Sequence, residues 1–91
     1  MTTEAKINFL RGLVKAMPGD TASAQCERLR EALSRYPLTS FEAMRHLDIY
    51  HCPARILQLR QAGEQIITSW ATVTTEQGER HRVGLYSLAA G

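Results

Sequence analysis

The sequence predicts a mainly α fold, in which four helices are followed by a two-stranded β-hairpin within 91 residues. Three observations predict it. Apolar residues recur at three- and four-residue spacing in four segments, the period of a helix with one buried face. Prolines and glycines punctuate the chain at Pro18-Gly19, Pro37 and Gly63, where they stop helices. After Gly63 the composition turns to β-branched residues and an aromatic, which suit strands.

The first helix is expected from Glu4 to Met17, with Ile7, Leu10, Val14 and Met17 on one face and Phe9 and Leu13 beside them. Pro18-Gly19 ends it, and Asp20 or Thr21 offers an N-cap oxygen to the second helix. There Cys26, Leu29, Leu33 and Tyr36 repeat the three-four-three spacing. The remaining face, Glu27, Arg28, Arg30, Glu31 and Arg35, is charged and expected in water. Pro37 closes the segment, because a residue before proline is pushed out of the α region.

Thr39 is the natural N-cap of the next helix, since Glu42 three residues on completes a capping box. That helix, Phe41 to Leu47, has Phe41, Met44 and Leu47 turned inward. Only Asp48-Ile49 intervenes before another helical pattern. Pro53 lacks an N–H and is tolerated in a first turn. The last helix therefore runs from near His51 to Ala62, with Cys52, Ile56 and Leu59 facing the core and Gly63 at C′. Ile66 to Thr75 is an uncharged strand, a polar turn with Gly78 follows, and Arg80 to Leu88 returns with Tyr86 and Leu88 on one face.

A short helix, a tight turn with a buried aliphatic residue and a glycine-closed helix form a helix-turn-helix. The hairpin adds a wing. The expected fold is thus a winged helix-turn-helix, a three-helix core plus a two-stranded β wing, with an extra N-terminal helix. Leu38-Thr39, Ala43, Leu47, Ile49, Arg55-Ile56, Leu59-Arg60, Gly63, Ile66, Tyr86 and Leu88 form a recognisable set. Through them the stretch from about Leu29 to Leu88 resembles the small winged helix-turn-helix domains common in phage and prophage genes. The resemblance implies a DNA-binding regulator. Pro53 departs from its usual pattern, inside the helix that would read DNA, and Met1 to Asp20 lie outside it.

Charge and composition narrow the partners. The formal net charge is +2 and the isoelectric point is near 8.8, which suits a nucleic-acid partner without demanding one. The excess is spread as +1 over residues 1–20, zero over 21–48 and +1 over 49–91. So thin a surplus gives a single copy little affinity for phosphates, and a homodimer is expected. Residues 1–19, whose apolar face is wider than one stripe, are the expected dimerisation element, and residues 20–91 the DNA-binding domain. Apolar runs of only two or three residues exclude a membrane span. The charged first twenty residues give no sign of a secretory leader, and two cysteines are too few for a disulfide scaffold. A cytoplasmic location is expected.

No C-x-x-C or H-x-x-x-H pair is present, and the six glycines are scattered rather than gathered in a phosphate-binding loop. Neither catalysis, a metal, a cofactor nor a small-molecule ligand is expected. Cys26 and Cys52 fall on apolar helix faces as core residues.

The candidate site residues follow from the docking geometry. Tyr50, His51, Ala54, Arg55, Gln58 and Gln61 lie opposite the core row of the last helix. Arg55 suits a guanine edge and Gln58 an adenine, while Tyr50 and His51 sit where a helix start meets base or phosphate. Arg60 is nearer the core edge and suits a phosphate or an internal ion pair with Glu64. Arg80, His81 and Arg82 in the wing suit phosphates; the same charges would also guard an edge strand. Thr39 and Ser40 open the bracing helix, where free N–H groups favour a phosphate. The expected function is sequence-specific binding of double-stranded DNA by a small phage or prophage transcriptional regulator. Its 51–62 helix reads the major groove and its 76–82 wing holds the backbone. The alternative is a winged-helix module that docks onto another protein.

Overall fold

The computed structural model describes residues 3–89. In chain order the elements are α1 (Glu4–Ala16), α2 (Ala22–Leu33), β1 (Leu38–Thr39), α3 (Ser40–Leu47), α4 (Cys52–Gln61), β2 (Ile66–Thr74) and β3 (Arg80–Leu88). Each of the first three helices begins at a threonine whose hydroxyl fills an otherwise empty donor site. Thr3 accepts from the Lys6 N–H at 3.2 Å, Thr21 from Ala24 at 3.1 Å and Thr39 from Glu42 at 3.0 Å. At α3 the Glu42 carboxylate also accepts the Thr39 N–H at 2.9 Å, so the capping box is complete. Asp48 ends α3 in the left-handed region at φ 58°, a conformation aspartate tolerates. Gly63 takes φ 103° just past α4, where a side chain would be strained.

The core lies where α2, α3, α4 and the sheet converge. Leu29, Leu33, Leu47, Ile49, Ile56 and Tyr86 are all buried there. Helix α1 joins the same core through fully buried Leu10, with Phe9, Leu13 and Val14 half-buried against it. Lys6 fastens it further, donating to the Pro37 carbonyl at 2.7 Å and pairing with Glu42 at 3.1 Å. Part of the wide apolar face of α1 is therefore used within its own domain.

Three expectations need correction. The fold is mixed rather than mainly α: four helices stand with a three-stranded antiparallel sheet of order β1-β3-β2. The third strand is Leu38–Thr39, paired opposite Tyr86 and Leu85. Two residues are too short to show strand alternation, and only the tertiary partner defines them. Second, Arg28 is fully buried, not wet. Its Nε donates to the Leu47 carbonyl at 3.1 Å, and its Nη1 to Met17 and Gly19 at 2.9 and 2.8 Å. A cation is well placed there, among carbonyls at the ends of α1 and α3. Third, Met44 is exposed, and α3 turns Ala43 and Leu47 inward instead.

The register of the hairpin positions everything outside the core. Ile66 lies opposite Leu88, Thr68 opposite Tyr86, Trp70 opposite Gly84, Thr72 opposite Arg82 and Thr74 opposite Arg80. Among the described residues no helix is long and apolar enough to cross a membrane.

Candidate nucleic-acid interface

Side chains alternate across a strand, so the register assigns faces. Arg80 and Arg82 share the face that carries Thr68 and buried Tyr86. Helix α4 sits over that same face, since its Arg60 donates to the Thr68 hydroxyl at 2.7 Å. The wing arginines thus extend the side of the sheet on which α4 lies. His81 falls on the opposite face. The Arg82 guanidinium lies 4.9 Å from the centre of the Trp70 ring, a cation–π stack that limits its freedom. At the turn, Glu76 pairs with Arg45 of α3 at 2.9 Å, linking wing and helix across exposed side chains.

The starts of α3 and α4 meet β3 around a shallow cleft of about 260 Å³, lined by Ser40, Met44, Tyr50, Pro53 and Val83 among others. Tyr50 stands beside it with 69% of its surface exposed. His51 is the N-cap of α4 and makes no side-chain capping bond; its ring is exposed. Ala54, Gln58 and Gln61 are exposed along the outer flank as the period requires. Between them lies Leu57, 56% exposed, which the sequence reading left out although its position opposite Cys52 and Ile56 follows from the same period.

The arginines of α4 differ. Arg60 spends its donors at home, giving Nε and Nη2 to the Ile66 carbonyl and Nη2 also to Thr68. It pairs with strand rather than with Glu64. Arg55 is half-buried on the flank nearest α2. Its Nε is buried without a hydrogen-bond partner, and among the described residues its guanidinium forms no ion pair. Gln58 accepts a long bond from the Cys26 thiol at 3.4 Å, so α2 steadies its carboxamide. Thr39 is buried with its hydroxyl engaged by Glu42, whereas Ser40 is half-exposed at the cleft.

Burial disfavours the thiolate of both cysteines. Burial pushes Cys52 up to about 12, and burial also raises Cys26, against the nearby Arg55 charge that lowers it. Trp70 and Arg45 were not singled out from the sequence. Trp70 was recoverable, because a hairpin centred on Gln77 brings it diagonally beside Arg82; Arg45 was not, since its partner lies 31 residues away.

Comparison with curated proteins finds no match, and neither does comparison with solved structures. A family comparison does find one: residues 24–91, from the first turn of α2 through the hairpin, match the family described as winged helix-turn-helix domain. Helices α2, α3 and α4, the tight Asp48 turn and the antiparallel wing agree with that match, and this chain belongs to the winged helix-turn-helix domain family.

Proposed function

We propose that this chain binds double-stranded DNA sequence-specifically, as a small transcriptional regulator of phage or prophage type acting in the cytoplasm as a homodimer. It is a binding protein and not a catalyst. One observation carries the proposal: the exposed flank of α4 and the wing residues Arg80 and Arg82 lie on the same side of the sheet. A duplex approaching that side meets α4 in its major groove and the wing along its backbone. Tyr50, His51, Arg55 and Gln58 are the base-reading candidates, and Ser40, Arg80 and Arg82 the phosphate-holding ones. His81 joins the latter only where the backbone wraps the wing edge. Arg60 and Thr39 act indirectly, by fixing α4 to β2 and by starting α3.

Selection of bound oligonucleotides from a random duplex pool tests the proposal. Enrichment of a palindrome is the expected result. Empty mobility-shift lanes at low ionic strength, with every oligonucleotide tried, would overturn it. A second function is favoured by exposed Leu57 in the middle of α4, which would anchor a protein partner as readily as a thymine methyl. In that case the pool yields no enriched sequence.

A further inference from the structure

Strand β2 ends the sheet on one side, and among the described residues no strand pairs with its outer edge. Antiparallel ladders alternate, so every second residue turns its N–H and C=O away from the partner strand. The Gln65 carbonyl accepts from Ala89, and the Thr75 N–H donates to Glu79, so odd-numbered residues of this stretch face β3. The even-numbered ones face outward. Arg60 confirms the parity by capping the outward carbonyl of Ile66 at 2.7 Å. Beyond it, no hydrogen bond among the described residues caps the outward backbone groups of Thr68, Trp70, Thr72 and Thr74.

Edges are ordinarily guarded by charge, proline or a bulge. This one has none of them: residues 65–75 contain no charged residue, no proline and no glycine, and the ladder with β3 runs unbroken from Ile66 to Thr74. The companion strand β3 carries Arg80, His81, Arg82 and Gly84. Trp70 and Ile67 are both exposed on the unguarded strand.

We infer that β2 pairs antiparallel with β2 of a second copy, about a two-fold axis at Ala71. In that register Thr68 meets the second copy's Thr74, and Trp70 meets its Thr72. Every outward N–H and C=O from Thr68 to Thr74 of both copies is then paired, and the Ile66 carbonyl stays with Arg60. Ala71 meets its own counterpart at a non-hydrogen-bonded position, where backbones come nearest, about 4.5 Å between Cα atoms. A small side chain suits that place. Because the strand is uncharged, self-pairing sets no like charges against each other.

The axis is perpendicular to the sheet, so residues on one face of the first copy share that face with the second. Both α4 helices and both Arg80–Arg82 pairs would lie on one side of a continuous sheet. The pairing itself does not rest on DNA binding; only the use made of that shared side does.

Analytical ultracentrifugation of the full chain without DNA tests the pairing, over a range of concentrations. A concentration-dependent dimer is expected. Thr72→Pro removes an outward N–H and no bond to β3, and should leave a monomer with an unchanged circular-dichroism spectrum. Ala71→Cys should give a disulfide-linked dimer on mild oxidation, since the Cα separation fits, whereas Thr74→Cys, which faces Thr68 of the second copy, should not. The cross-link test stands even if the proline variant fails to fold. A wild-type chain that is monomeric throughout would overturn the inference. So would a dimer that survives Thr72→Pro but is lost on Leu13→Glu, which would put the contact on α1. The DNA selection is read separately: a paired chain that binds no DNA removes the DNA reading and keeps the pairing, and a DNA-binding monomer keeps the DNA reading and removes both the pairing and the homodimer.

Discussion

Arg28 shows how a single residue can be misplaced by pattern and still be essential. Its neighbours Glu27, Arg30 and Glu31 make α2 look charged on that side, yet Arg28 lies four residues before buried Ala32 and beside Leu29. Periodicity alone would allow it inside; a rule that charges stay wet would not. The deciding groups are three carbonyls on Met17, Gly19 and Leu47, which no local pattern discloses. Arg28→Met is expected to leave them short of donors and to destabilise the fold by about 3 kcal/mol. Urea titration should show a lower midpoint at an unchanged slope. His46 carries a second expectation. Burial lowers its pKa first, with Arg11 and Arg45 adding repulsion, Lys6 a little more and Glu42 opposing. Its folded value is below the ordinary 6.5, so the unfolded chain binds the proton more readily. Stability from this residue is full above pH 6.5 and falls as the pH drops through that value toward the folded pKa. Comparing wild type with His46→Gln at pH 8 and pH 5.5 checks the sign: the variant should lose less on acidification.

At the scale of elements, the helices and the hairpin were legible because each begins or ends on a residue with one physical job. Thr21 and Thr39 are caps, Pro53 fits only a first turn and Gly63 takes a positive φ. Strand β1 was not legible, for it exists only against Tyr86 and Leu85. The site divides in the same way. Which residues of α4 point outward followed from the period, Leu57 included; that Arg60 caps the Ile66 carbonyl depended on how the chain turns back after Gly63, and that the Arg55 Nε is buried without a hydrogen-bond partner depended on tertiary packing. The two elements of the proposed interface should respond differently to substitution. Arg55→Ala is expected to weaken binding to a selected site by about 1–3 kcal/mol and to relax its sequence preference. Arg80→Ala with Arg82→Ala is expected to weaken all duplexes alike and to flatten the salt dependence by about two ions' worth. Affinities measured at several salt concentrations separate them. An unchanged slope would take the wing off the phosphates.

For the molecule as a whole, the question is what joins α1 to a domain whose family match begins only at residue 24. The order of elements was readable from the sequence, but the attachment was not, because Lys6 and Glu42 stand 36 residues apart. Their pair is more than a strap. Glu42 holds the Thr39 N–H and hydroxyl as well, so one carboxylate joins α1 to the first turn of α3, from which the tight turn and α4 follow. Lys6→Met should take one cation away from a buried carboxylate and remove the donor to the Pro37 carbonyl, costing about 3 kcal/mol. For a chain of this size that lowers the melting temperature by about 10–20 °C. Glu42→Gln can still reach back to Thr39 but strands the Lys6 charge in turn. The double variant should therefore cost less than the two single losses added together, since the Lys6–Glu42 attraction is lost only once. Additive losses in thermal melts would mean that the two side chains stabilise the chain separately. In that case α1 would be held by Leu10 and its apolar neighbours, with no electrostatic link to the proposed DNA-facing helices.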